Sequence, residues 1–160
     1  MSSETYRGQC NLHLFLARQY LEQITENCRD DWGGHFHRAS LESALWQLRL
    51  AYESHLADLL FQQPRFQQAI PVGRYSALAL SSGEHPPEVA ELADRESHDS
   101  RLRWVLEYAF INAPSAVQAA VPSGLIASSR GEDDAVQRSW EALEFLTETV
   151  NRHRATLQEY

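Results

Sequence analysis

Glu42, Arg49, Glu53 and His55 lie within one segment, Ser40 to Gln63 (SLESALWQLRLAYESHLADLLFQQ), that is apolar on nearly every side. A helix with that pattern is buried, and a charge inside it needs a partner. On a helical wheel Leu41, Leu45, Leu48, Tyr52, Leu56 and Leu59 form one broad arc. Trp46, Leu50 and Ala57 form a second, more than about 100° away. Glu42, Arg49 and Glu53 fall in the strip between them, and Arg49 and Glu53 are four residues apart, so they can meet on the helix surface. The preceding segment carries a matching strip of Arg7, Asn11, Arg18, Glu22 and Thr25, with Arg18 and Glu22 again four apart. Packed side by side, the two helices could exchange Arg18 with Glu42 or Glu53, and Glu22 with Arg49. Charge-assisted bonds of that kind would satisfy a buried arginine and fix helix register. The competing chemistry is a ligand pocket lined by Asn11, Arg18, Glu22, Glu42, Arg49, Glu53 and His55.

The histidines raise two further possibilities. His55 replaces an apolar residue in the seam of its helix, His153 does so in the last helix, and His13 borders the seam of the first. Inner-face imidazoles invite a metal. The spacing argues against one, since a di-metal bundle needs two Glu-x-x-His pairs and this chain has none. His35 and His37 flank Phe36 in what reads as a Gly-flanked loop with no clear further ligands. The default reading of each is an imidazole bonded to a neighbouring group, with no metal and no cofactor. The second possibility is a metal-independent ribonuclease of the HEPN class, which carries an Arg and a His four to six residues apart. Arg49 with His55 fits, as do Arg7 with His13 and Arg29 with His35. Chance alone gives about two such pairs in a chain of this composition. Leu50 follows Arg49, where that class usually has a polar residue. No Gly-rich phosphate loop, serine elbow or Cys-His nucleophile pattern is present.

Helices must position these residues. The first is expected from about Glu4 to Arg29, with Cys10, Leu14, Ala17, Leu21, Ile24 and Cys28 as its seam. Gly33 and Gly34 then supply a turn. The second runs from an N-cap at Ser40 to a stop near Pro64. A short helix is expected around Tyr75 to Ser81. A third long one starts at Pro86-Pro87-Glu88 and runs to Asn112, kinked or split by the polar stretch Asp94 to Arg101. Residues 113 to 131 read as a long connection with a helical turn at Ser115 to Ala120. The last helix opens at Glu132-Asp133-Asp134, with Val136, Trp140, Leu143, Leu146, Val150, His153 and Leu157 as its stripe. Four long amphipathic segments on one chain imply an all-α, single-domain four-helix bundle with short extra helices between helices two and three.

Composition narrows the function classes. The chain has 160 residues, 43% hydrophobic and 22% charged, which suits one domain with a real core. Its net charge of -8 argues against a general nucleic-acid binder, which needs a basic surface. All 14 basic residues are arginine, as expected from a GC-rich genome, or from a need for bidentate contacts that lysine cannot make. No stretch approaches the roughly 18 unbroken apolar residues of a membrane span. The N-terminal residues lack a basic region followed by an apolar run, so the cytoplasm is the expected compartment. Cys10 and Cys28 would lie about 27 Å apart on one helix, too far to pair.

The segments Asn11 to Ile24 and Ala44 to Leu59 resemble a family of uncharacterised small helical proteins from Pseudomonas-like gammaproteobacteria. The resemblance rests on Asn11, Phe15, Ala17, Arg18, Leu21 and Glu22, then on Leu48, Ala51 and Tyr52, and loosely on Glu88 to Phe110. It implies a helical fold and bacterial origin, and carries no activity. The expectation is therefore a cytoplasmic interaction or structural protein, with Trp46 and Leu50 as a candidate homodimer face. The ribonuclease built on Arg49 and His55 is the alternative.

Overall fold

The computed structural model describes residues 5–26, 35–111 and 125–158. Every regular element among them is helical and none is a strand, so the fold is all-α. The order is α1 (Tyr6–Glu26), α2 (His35–Phe61), a 3-10 helix at Pro64–Ala69, α3 (Ala77–Leu80), α4 (Pro87–His98), α5 (Ser100–Glu107) and α6 (Leu125–Gln158). The end of the first helix beyond Glu26, the glycine turn, Cys28 and the expected turn at Ser115 to Ala120 lie outside the described residues. No helix among the described residues is long and apolar enough to cross a membrane.

The centre of the fold is α2. Its seam residues Leu41, Leu45, Leu48, Tyr52, Leu56 and Leu59 are buried, and so are Ala51, Ala57 and Leu60 on its flanks. The seam residues and Leu60 form one cluster with Ala17 and Leu21 of α1, Val89 and Leu92 of α4, Leu102 and Val105 of α5, and Leu143 and Leu146 of α6. Water thus reaches little of α2, as its all-round apolar pattern requires. The helix starts at His35, five residues before Ser40, which sits buried in its interior rather than capping it. No Gly or Pro separates His35 from Ser40, so nothing there stops the helix from extending backwards. At the other end Pro64 forces Gln63 into an extended conformation, and α2 stops at Phe61.

The third long segment is split into α4 and α5 at Asp99. Its backbone is extended (φ -93°, ψ 117°), and its carboxylate accepts from Arg101 N at 2.9 Å to cap α5. The Arg101 guanidinium holds the same carboxylate through Nε at 3.1 Å and Nη2 at 2.8 Å. These bonds keep the Asp99 carboxyl below its ordinary range. α5 ends at Glu107, five residues before the expected Asn112, because Tyr108 leaves the helical region (φ -58°, ψ 125°). α6 opens at Leu125, seven residues before Glu132. It runs through Gly131, which costs only about 1 kcal/mol relative to alanine. Asp134 is therefore interior, paired one turn on with Arg138 at 2.9 Å.

The short helix expected at Tyr75 to Ser81 forms as Ala77–Leu80, capped by Ser76. Glu96 of α4 anchors it. The Glu96 carboxylate accepts from Ala77 N and the Tyr52 hydroxyl, both at 2.6 Å, and from Leu78 N at 3.1 Å. One carboxylate thus joins α2, α3 and α4. Hydrogen bonds to a buried or half-buried charge are among the stronger ones. Glu96→Ala should lower stability in urea unfolding by about 3 kcal/mol. Glu107→Ala, which removes an exposed pair with Arg103, should change it by no more than about 0.5 kcal/mol.

Candidate functional site

The polar residues of α1 and α2 find partners other than one another. Neither Arg18 with Glu42 or Glu53 nor Glu22 with Arg49 forms an ion pair. Glu42 is taken by Arg38, one turn away at 3.0 Å, and Glu53 by Arg74 from the segment before α3 at 3.3 Å. Arg18 lies over the Trp140 ring of α6, 5.9 Å from its centroid. Asn11 accepts from Arg154 Nη1 at 2.7 Å. A helical wheel shows which residues share a face; it does not show which neighbour reaches that face first.

Arg49 is 9% exposed, and its hydrogen bonds run to the C-terminal end of α5. Nε donates to Val105 O at 2.7 Å, and Nη2 donates to Leu106 O at 3.0 Å and Tyr108 O at 2.8 Å. The Phe110 ring covers the guanidinium at 4.6 Å. The last carbonyls of a helix have no intrahelical donor, and here a buried arginine supplies it. A planar fork with several N–H groups can do this; a lysine could not. Burial, then the nearby Arg74, lowers the Arg49 pKa from its ordinary value.

His55 enters a different constellation. It is 1% exposed, and its Nε2 lies 2.9 Å from His153 Nδ1 of α6, with the rings stacked 5.2 Å apart at 15°. His153 Nε2 lies 2.8 Å from Glu91 Oε2 of α4. Glu91 also takes both Nη groups of Arg152, one at 3.1 Å. The Arg152 bond, and after it the His153 bond, hold the Glu91 carboxyl down at about 2 despite its burial. An ionised carboxylate only accepts, so His153 Nε2 carries the proton. In a neutral ring His153 Nδ1 is then an acceptor, and His55 Nε2 must donate to it. This leaves His55 Nδ1 with a bare lone pair, and that buried atom has no hydrogen-bond partner among the described residues. Burial, followed by His153, Arg154 and Arg7, pushes the His55 pKa down to about 3, so His55 is neutral at physiological pH.

Around this relay lie other polar groups from α1, α2 and α6. Arg7 Nε reaches Asp58 Oδ2 at 3.4 Å, and Gln62 donates to Asp58 Oδ1 at 2.8 Å. Arg154 donates to Arg7 O at 3.5 Å in addition to Asn11. Cys10, packed with Ala51 and Val150, has its thiol raised to about 11, mainly by burial. It is a protonated core residue, as its seam position implies.

Arg49 and His55 do not come together: Arg49 is bound to the end of α5, and His55 is enclosed where α2 meets α6; Arg29 of another candidate pair lies outside the described residues. Among the described residues, no group of three or more His, Cys, Asp or Glu is placed to hold a metal ion. Of the residues singled out from the sequence as a pocket, Glu42 alone lines either of two surface hollows. One of about 490 Å³ is lined by Arg103, Trp104, Glu107, Tyr108 and Arg138. Another, of about 410 Å³, is lined by Tyr20, Glu42, Trp46, Gln47 and Phe110.

Sequence reasoning placed both His55 and His153 in apolar seams. Two polar residues at seam positions on different helices can satisfy each other, which was the available signal for their pairing. Glu91, Glu96, Arg152 and Arg154 were missed, because on an amphipathic helix such residues look like a solvated face. No family model, curated protein or solved structure matches this chain.

Two outcomes follow. Long-range ¹⁵N–¹H imidazole spectra at pH 7.5 should show Nε2 protonated in both His55 and His153; a proton on His153 Nδ1 would contradict the relay. Arg49→Met strips three carbonyls of their donor and should cost about 3 kcal/mol in urea unfolding.

Proposed function

We propose that this chain is a bacterial, cytoplasmic four-helix-bundle protein that works as an interaction or structural protein and not as an enzyme. The four packing units are α1, α2, the α4–α5 pair and α6. The observation that carries this reading is the destination of the buried charges. Arg49, Glu96, Asp58 and the His55–His153–Glu91 chain are all engaged in tying helices together, and the hollows do not reach them. The arginine-only basic set and the resemblance of α1 and α2 to proteins of Pseudomonas-like gammaproteobacteria support the bacterial assignment. A net charge of -8 speaks against general nucleic-acid binding.

The surface most suited to a partner is the one around Trp46. This residue is 40% exposed, with the Phe110 edge 6.1 Å from its ring and the Arg74 guanidinium 4.8 Å over its face. Tyr20 completes the wall of the hollow beside it. Trp, Tyr and Arg are the residue types that dominate interface energetics. Leu50 is half-buried, so the face centres on Trp46 and Phe110 and not on a flat Trp46–Leu50 arc. The occupant proposed is a second copy of the chain. Two molecules of net charge -8 must meet through patches that add little like charge. In this patch Glu42 and Glu53 are matched by Arg38 and Arg74. Sedimentation velocity in the micromolar range should show a dimer for the wild type and a monomer for Trp46→Glu. A wild-type monomer throughout that range would refute the dimer.

A further inference from the structure

The C-terminal turns of α6 are held differently from its middle. Ala142, Leu143, Phe145 and Leu146 are buried in the main apolar cluster. From Val150 onward apolar contacts are fewer: Val150 belongs to the small cluster with Cys10 and Ala51, and half-buried Leu157 packs against the edge of the main cluster. Three consecutive polar residues take over. Arg152 binds Glu91 of α4, His153 bridges Glu91 and His55 of α2, and Arg154 binds Asn11 and Arg7 O of α1. The segment is thus fastened to three helices through polar side chains, one of them the titratable His153.

We propose that the His55–His153–Glu91 relay is a proton-operated latch. It holds the end of α6 against α1, α2 and α4 while the His55 imidazole is neutral. Acid releases that end by placing a proton on His55 Nδ1.

The closed latch disfavours that proton for three reasons. His55 Nδ1 is buried with no acceptor among the described residues, so an N–H there would be stranded. Protonating it leaves a cation stacked on His153. The charges nearby are mostly of the wrong sign: Arg7 of α1, and Arg152 and Arg154 of α6. Asp58 of α2 is engaged with Arg7, Glu91 of α4 with Arg152 and His153, and Cys10 of α1 is neutral. Glu88 lies one turn before Glu91 on α4. In the open form the imidazole meets water and titrates at its ordinary value.

The sign follows from linkage. The closed-state pKa of His55 is about 3 against an ordinary 6.5. The latch is therefore fully stable above pH 6.5, and opening takes up one proton between pH 6.5 and about 3. Each pH unit lost in that window shifts the opening equilibrium about tenfold. Glu91, held at about 2 against an ordinary 4.5, adds to the loss in the same direction at lower pH.

Residue-resolved amide exchange on the full chain, corrected for intrinsic rates, separates this from general unfolding. Protection of the amides of residues 150–155 should fall about tenfold per unit from pH 6.5 to pH 5 and should be insensitive to low urea. Protection of residues 142–146 should respond to urea. His55→Gln keeps a donor toward His153 Nδ1 but cannot titrate, and in it the pH dependence should vanish. The latch is overturned if residues 150–155 follow urea as 142–146 do, if their protection is flat with pH, or if His55→Gln retains the slope. Should that variant not fold, the urea and pH responses of the wild type still decide.

Discussion

A helix surrounded by other helices cannot send its polar side chains to water, and that constraint on α2 organises the molecule. Four polar residues follow one another on α2 at three-residue steps: Arg49, Tyr52, His55 and Asp58. All four are buried. Each step of three turns the side chain back by about 60° around the axis. The four therefore sweep half the circumference, and each reaches a different neighbour. Arg49 closes the carbonyl end of α5, Tyr52 donates to Glu96 of α4, His55 to His153 of α6, and Asp58 receives Arg7 of α1. The apolar cluster supplies the bulk of the burial. These four ties settle which helix lies against which side of α2.

The ties differ in their response to solvent conditions. Arg49 binds carbonyls and Tyr52 donates from a hydroxyl whose ionisation is pushed well above its ordinary range, mainly by burial. Neither changes state near neutral pH. His55 is held neutral in the fold down to about pH 3, whereas an imidazole in water titrates near neutral pH, so its tie is linked to acid over that range. The exposed pairs, such as Arg103–Glu107 and Arg138–Asp134, add little to this, since solvent screens them.

Much of the fold was legible in the sequence. The all-round apolar pattern located α2 and its burial, and the polar break around Asp99 located the division between α4 and α5. Element starts were less legible: His35 to Ala39 and residues 125–131 contain no strong breaker except Gly131, and helices extended through both. The site was legible by residue and not by partner. Arg49, Glu53, Glu42, Arg18 and His55 were all singled out, yet the expected ion-pair lattice does not form. Arg38 and Arg74 lie closer to the acids, and the bare carbonyls at the end of α5 compete for Arg49. The acceptors that matter most, Glu91 and Glu96, sit among polar neighbours on α4. Nothing in local pattern separates an acid that faces water from one that faces a buried tyrosine or histidine.

The most direct measure of these ties is a double-mutant cycle on the one that joins two seams. His55→Leu, His153→Leu and the double variant would be compared by urea unfolding at pH 7.5. Each single change leaves a buried imidazole without its partner, whereas the double change removes both. The two costs should therefore fall short of additivity, with a coupling of about 1–3 kcal/mol. Costs that add to within about 0.5 kcal/mol would contradict a bond between the two rings on which the packing of α6 against α2 depends.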